Sequence, residues 1–262
     1  MQFRMDFDRR TDLLREMQAR LARHYPDYPP RYLLLDPVSQ LVMSLLGGRT
    51  KSPVSKAAHA GLLRCFRNWS EVRDADVRRL ERLIQNVTFA DIKARRIKTI
   101  LSFLSRRTGR PSLAVLDGLS VQQAHAWLER IDGIGPKIAA AVLNTSTLRR
   151  RSLVIDTHHL RILIRVGMLP PGSDFRKAYR LVMPLVPDDW TAETIDVHHM
   201  LFKRLGQDIC RPFEPKCGRC PFSSLCRHAR RSRTSGARPN TLSGPPSLPG
   251  PSRRARSGSE WP

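Results

Sequence analysis

The chain has 262 residues, enough for one large domain or two smaller ones around a real core. Its 46 Lys and Arg against 23 Asp and Glu give a formal charge of +23, which favours a polyanionic partner: nucleic acid first, an anionic membrane surface second. No apolar stretch approaches the length of a membrane span, and the N-terminal residues mix acids with bases without an apolar signal core, so neither secretion nor membrane insertion is expected.

Residues 11–24 carry Leu13, Leu14, Met17 and Leu21 at helical spacing, which predicts an amphipathic helix. Tyr25-Pro26 and Tyr28-Pro29-Pro30 form a connector. Asp36-Pro37 opens a second helix with Val38, Leu41, Val42, Leu45 and Leu46 apolar. It ends at Gly47-Gly48-Arg49-Thr50, and Ser52-Pro53 starts another that runs through Leu62. Cys65, alone on that helix, reads as a small core residue. Residues 71–107 read as two more helices. The cations Lys93, Arg95, Arg96 and Lys98 in the second suit either phosphate contact or a solvated face. Gly109-Arg110-Pro111 is a break.

Residues 131–156 form the centre of the chain. Gly133 and Gly135 bracket Ile134, and Pro136 fits the first position of a helix carrying Ile138, Ala139, Val142 and Leu143. Trp127, Leu128 and Ile131 recur at helical spacing before the turn, so the unit reads as helix, Gly-hairpin, helix. Amides exposed at such a turn suit an anionic oxygen such as a phosphate. Lys137 sits where the positive end of a helix dipole lowers an amine's pKa, and Asp156 follows Leu153-Val154-Ile155 as the cap of a further helix.

That helix carries Leu160, Ile162, Leu163, Ile164 and Val166 and stops at Gly167. Residues 175–185 and 191–205 are two more. His198 and His199 in the last, like His158 and His159, fit core packing with satisfied hydrogen bonds. No strand-period segment of any length appears, so the fold is expected to be all-α.

Cys210, Cys217, Cys220 and Cys226 follow with the spacing C-x6-C-x2-C-x5-C. Four thiols in so short a loop, with Pro212, Pro215 and Pro221 fixing turns, must converge on one centre and argue for a reducing compartment. Zinc and an iron–sulfur cluster both accept four thiolates, although zinc ribbons usually present two C-x2-C knuckles and only the middle pair is one here. After Cys226 the chain turns rich in Arg, Ser, Pro and Gly, which predicts a disordered basic tail over 229–262.

The stretch LERIDGIGPKIAAAVLN, the following VIDTHHLRI and the cysteine spacing resemble the helix-hairpin-helix DNA glycosylases, and among them endonuclease III, over residues 36–226. The resemblance implies two helical domains: 32–148, ending in the hairpin, and 1–31 with 149–228, carrying a [4Fe–4S] cluster on Cys210, Cys217, Cys220 and Cys226. It implies that Gly133, Ile134 and Gly135 grip a phosphate, that Lys137 attacks the sugar to form a Schiff base, and that Asp156 stabilises charge on that sugar. The cluster would be structural, holding Arg211, Lys216 and Arg219 against the DNA backbone. Relatives that only remove a base usually lack the lysine, so the expected activity is excision of oxidised pyrimidines with β-elimination at the abasic site. The expected partner is duplex DNA with a damaged base or abasic site. A monomer, off the membrane, in the cytoplasm and at the nucleoid, is expected. One departure stands out: Gly48-Arg49 occupies the place where the family carries a glutamine that fills the gap left by a flipped base. Arg49 either stacks into that gap or is a solvated loop residue. The alternatives are a glycosylase without lyase activity, for another lesion or mismatch, and a DNA-binding module without catalysis.

Overall fold

The computed structural model describes residues 2–28 and 33–234. They form helices α1 (Gln2–His24), α2 (Pro37–Gly47), α3 (Ser52–Cys65), α4 (Trp69–Asp74), α5 (Val77–Leu83), α6 (Ala90–Ser105), α7 (Val121–Glu129), α8 (Pro136–Asn144), α9 (Thr157–Val166), α10 (Phe175–Val182), α11 (Ala192–Asp208) and α12 (Arg227–Thr234). Among the described residues the only extended pairing is an isolated bridge between Leu35 and Ser146. The fold is all-α, as the absence of strand periodicity predicts.

Short polar side chains start most of these helices by accepting from the first-turn amides, which no intrahelical carbonyl reaches. Asp36 accepts from Val38 and Ser39, Asp76 from Arg78 and Arg79, and Asp174 from Lys177. Ser120 and Gln123 bond each other's backbone reciprocally at the start of α7. Gly167 ends α9 with φ +95°, a left-handed conformation that glycine adopts without the steric cost of a β-carbon.

Two apolar cores result. The first joins α2 to α8 through Leu41, Leu46, Leu62, Leu80, Ile97, Ile100, Leu128 and Leu143. The second joins α1 to the chain after 152 through Leu14, Met17, Leu21, Leu163, Ile195, Phe202 and Phe222. Helix α8 packs on α2 and α7 within the first core and is also touched by α10 and α11 from the second. The hairpin helix is therefore the member common to both sides.

Several details differ from the sequence reading. The first helix begins at Gln2, nine residues before the apolar repeat. Residues 71–107 hold parts of three helices, because the capping residues Asn68 and Asp76 each start a short one ahead of α6. Cys65 is exposed, since it lies on the outer side of the last turn of α3 while Leu62 and Phe66 point inward. The expected tail starts too early: Arg227–Thr234 is helical, and Ala229 is buried in the second core. Residues 235–262 of that tail lie outside the described residues.

Candidate active site and cysteine loop

Helices α7 and α8 are joined by the hairpin. Gly133 has φ +85°, so the backbone favours glycine, and a β-carbon there would meet Arg96 Cδ at 2.5 Å and displace that side chain. Ile134 between the glycines is buried and anchors the turn in the first core. Gly135 is the extended residue before α8, and no side chain caps that helix. The amide-rich end of α8 is thus left without a polar side chain of its own, the arrangement that favours an anion. His125 reaches the Pro136 carbonyl at 3.2 Å and stacks on Tyr179 with ring centroids 3.9 Å apart, tying the hairpin to α10.

Lys137 is half-buried in the first turn of α8. Burial pushes its amine below the usual lysine range; Asp156 opposes that shift and Lys203 adds to it. Asp156 is the N-cap of α9, accepts from the His159 amide at 2.9 Å, and is only 8% exposed. Burial alone would raise its carboxyl, but His199, the His159 amide, His158 and Lys137 together hold it down at about 2. The structure thus brings Lys137 and Asp156 into mutual electrostatic reach, an amine weakened as a base beside a carboxylate kept ionised. Together they can attack an electrophilic carbon and stabilise a cation.

The histidines flanking this pair are buried and held neutral. Burial pushes His159 down to about 3 and His198 well below its ordinary value, and it lowers His199 too. Their expected hydrogen bonding is only half met. His159 Nδ1 reaches the Val154 carbonyl and His198 Nδ1 reaches Gln18, while Nε2 of both and Nδ1 of His199 have no hydrogen-bond partner among the described residues. Packing against Phe202 and Trp190 fixes the His159 and His198 rings, and His199 lies against His159.

The turn at 47–50 is built around a residue that sequence reasoning placed elsewhere. Lys93 is buried and donates to the carbonyls of Leu46 at 2.8 Å and Gly48 at 2.5 Å and to Thr50 Oγ1 at 3.1 Å. It closes the C-terminal end of α2, so it is unavailable to a phosphate; a deep amine satisfied by three oxygens costs less than an unpaired one. Burial pushes it down to about 8, helped by Lys137 and Arg96. Lys98 is likewise taken up, by the carbonyls of Arg73 and Ala75. Arg49 stands exposed at φ +56°, its carbonyl held by Thr88 and its guanidinium 5.6 Å from the Phe89 ring centroid. Phe89 beside it is an exposed apolar side chain, as is Ile92 three residues on.

In the cysteine loop Cys226 is buried and Cys210, Cys217 and Cys220 are half-buried against the second core. Burial pushes the Cys220 thiol up to about 12; the Phe222 amide opposes that, and the neighbouring Cys210, Cys226 and Cys217 add to it. The other three cysteines are near enough to make a Cys220 thiolate costly, so ionised thiols here need a compensating cation. Among the described residues no three or more His, Cys, Asp or Glu side chains stand at the spacing of a single metal ion. Arg165, buried beneath the loop, donates to Cys210 Sγ at 3.3 Å and to the carbonyls of Arg211 and Pro212 at 2.6 and 2.8 Å. Arg211, Lys216 and Arg219 all project into solvent, away from the Lys137–Asp156 pair in sequence but on the same protein half as Asp156.

Sequence reasoning did not single out Lys203, His125 or Phe89. Lys203 carried a usable signal, lying four residues after His199 on one helix face. The other two carried none, since only the folded neighbours distinguish them from ordinary core or loop residues.

No family model matches the chain. A protein of Arabidopsis thaliana that carries the name of a DNA glycosylase is 34% identical over 149 residues, which are 57% of this chain and 50% of that relative. The chain thus spans half the length of that protein. Endonuclease III of Escherichia coli K12 is 24% identical over 217 residues, 82% of this chain and 95% of the relative. Among solved structures, a trapped endonuclease III–DNA covalent intermediate superposes with TM-score 0.70 at 19% identity, covering 85% of this chain and 98% of that one. A thermostable thymine-DNA glycosylase gives 0.68 at 16% identity over 85% and 97%. At these identities the structural likeness shows a shared fold.

Proposed function

We infer that this endonuclease III-like helix-hairpin-helix protein is a base-excision DNA glycosylase that removes oxidised pyrimidines and cuts the resulting abasic site as a lyase. The observation that carries the reading is the pairing of Lys137 with Asp156 at the uncapped end of α8.

A base inside a duplex is reached by turning it out of the stack. The hairpin amides around Gly133, Ile134 and Gly135 would hold a phosphate beside the lesion, while the exposed cations Arg49, Arg211, Lys216 and Arg219 neutralise the backbone. The exposed Phe89 beside Arg49 offers an apolar face for an unstacked neighbouring base. As the glycosidic bond lengthens, positive charge builds on the sugar, and the Asp156 carboxylate opposes it at close range. The neutral Lys137 amine attacks C1′, the base leaves with the bonding electrons and takes up a proton, and one proton of the attacking nitrogen passes to the ring oxygen as the C1′–O bond breaks, which leaves a hydroxyl and the protonated Schiff base. Loss of a C2′ proton then breaks the C3′–O bond and releases the 3′ phosphate. Water hydrolyses the imine and restores the lysine.

The four cysteines suit a [4Fe–4S] cluster: burial and the neighbouring cysteines make the Cys220 thiolate costly without a compensating cation, and the spacing resembles that of the family's cluster loop. When bound, the cluster supplies a rigid fourfold cross-link. Arg165 fixes the loop carbonyls from below, and the loop presents its three cations outward.

The test is borohydride trapping on duplexes containing thymine glycol or an abasic site, with Lys137→Ala as control. An adduct on both duplexes, lost in the variant while the fold is kept, supports the reading. An adduct on the abasic duplex alone moves the lesion elsewhere. Adducts on neither sink the lysine mechanism and favour a glycosylase without lyase activity or a DNA-binding module.

A further inference from the structure

Helix α8, with Lys137 in its first turn, packs mainly into the first core, whereas Leu153 and Ile155, which lead to Asp156, lie in the second. The distance between the two reacting groups therefore depends on how α8 is tied to the other half. At its C-terminal end the tie is Asn144, whose Nδ2 donates to the Ala192 carbonyl at 2.9 Å. At the Lys137 end the tie is aromatic.

The Pro136 carbonyl, one residue before Lys137, faces His125 Nε2 at 3.2 Å. A carbonyl only accepts, so Nε2 carries the hydrogen, and burial keeps the ring neutral. His125 is buried and lies flat on Tyr179 of α10, with ring centroids 3.9 Å apart and planes inclined by 14°. Glu129, one turn after His125 on α7, meets Arg176 of α10 at 3.1 Å, so an ion pair joins the same two helices. On the other side, the Tyr179 hydroxyl is 2.9 Å from Oγ of Ser152, a fully buried residue four positions before Asp156. The Tyr179 side chain also packs against Ala140 and Ala141 of α8 and against Val154, two residues before Asp156. One side chain of α10 thus touches both the helix that carries the amine and the segment that ends in the carboxylate.

We propose that the His125–Tyr179 stack is a clamp that sets the Lys137–Asp156 separation, with both rings as positioning residues for attack on the sugar. This rests on the lysine mechanism above. Each ring acts through backbone: His125 holds the carbonyl beside Lys137, and Tyr179 holds the segment that delivers Asp156. Two stacked rings whose outer edges are hydrogen-bonded have few other ways to pack in a dense interior. A reacting group misplaced by about 1 Å loses on the order of a hundredfold in rate. A clamp therefore matters most where the two groups are carried by separately packed halves.

The experiment uses Tyr179→Leu, Tyr179→Phe and His125→Phe in the full chain. Val182→Ala, at a fully buried residue of the same helix, controls for lost stability. Single-turnover excision and borohydride trapping at an abasic site are measured beside Tm. Affinity is measured on a duplex carrying a tetrahydrofuran abasic analogue, which cannot form a Schiff base. Amide exchange in the first turns of α8 and at His159 reports on the clamp without any activity. Tyr179→Leu should slow both reactions by roughly 10- to 100-fold, leave the analogue affinity within about threefold and raise exchange at both places. Tyr179→Phe keeps the stack and should stay within about threefold of the wild type. His125→Phe keeps the stack without the Pro136 bond and should fall between the two. Val182→Ala should lower Tm with neither effect. Unchanged rates in folded Tyr179→Leu would overturn the proposal. So would an equal loss in Val182→Ala at matched Tm, or a loss traced wholly to weaker binding of the analogue. A wild type that traps neither duplex while exchange still responds to Tyr179→Leu would keep the clamp and sink the lysine mechanism instead.

Discussion

The two cores are built by different rules. In the first, from α2 to α8, the buried polar groups are mostly hydroxyls, and the ionisable ones are His59, Lys93 and His125, of which Lys93 is spent on the carbonyls of the 46–50 turn and His125 on that of Pro136. The second buries Asp156, His159, Arg165, Asp196, His198 and His199 among its apolar side chains. One half is a shaped apolar scaffold that presents a turn. The other stores ionisable groups at a cost in stability. The site lies where they meet, and this difference lets one half supply a backbone grip and the other a fixed carboxylate.

The comparison can be broken most sharply at Asp156. Asn caps a helix about as well as Asp, so Asp156→Asn should lower base excision by roughly 100- to 1,000-fold, as loss of a charge aimed at the transition state does, while lowering Tm only by the contribution of the ionised carboxylate and keeping the cap. Asp156→Ala should add a stability loss of about 1 kcal/mol, because the His159 amide loses its acceptor. Single-turnover excision kinetics beside thermal melts separate the two effects. If Asp156→Asn excises normally, Asp156 is only a cap.

Large-to-small substitutions should damage the halves separately. Phe202→Ala, in the second core, should cost about 3–5 kcal/mol, and Leu143→Ala, in the first, about 2–5 kcal/mol. Amide exchange should rise first in α9 and α11 for the former and in α2 and α8 for the latter. Equal loosening of all four helices in either variant would show one cooperative core in place of two.

Acid should act on both halves, through His59 and His125 (pushed down to about 4 by burial) in the first and through three histidines in the second, where the effect should be larger. His159, His198 and His199 have folded values pushed below 6.5 by burial, so below that pH the unfolded chain takes up protons that the folded chain refuses. Stability present above pH 6.5 should therefore decline as pH falls, continuing toward about 3 for His159. Asp156 adds a later loss, present above the ordinary carboxyl value and gone as pH falls through about 2. Urea midpoints between pH 4 and 7 measure the first decline, and a flat profile would refute the stored-histidine account.

The smallest effect concerns the hairpin. Gly133→Ala forces a β-carbon into a left-handed residue and against Arg96, which should cost about 1–2 kcal/mol. Adding Arg96→Ala should return the part due to contact and leave the backbone strain. Full recovery would mean that the turn tolerates a side chain and that crowding alone selected the glycine.

Much of the architecture was written in local patterns. Caps such as Asp36 and Asp156, the Pro136 helix start and the apolar repeats gave the helices, because these signals act over three or four residues. The hairpin, the Lys137–Asp156 candidates and the four cysteines were legible for the same reason, since each is carried by spacing along the chain. The short helices around Asp76 were merged in that reading because a capping aspartate inside an apolar run does not announce a break.

What the sequence by itself determined is the list of helices, the conformation of the Gly133 turn and the chemical types available to the site. Only the tertiary structure decided which charges count. Lys93 and Lys203 are both lysines on amphipathic helices, indistinguishable by pattern; one is consumed by the 46–50 turn and the other reaches Ser52 at the start of α3. Cys65 and Ala229 exchanged their expected places, one outward and one into the core. Local propensity acts through neighbours in the chain, whereas burial and Coulomb interaction depend on neighbours in space, and those are supplied by the packing of α8 between the two cores.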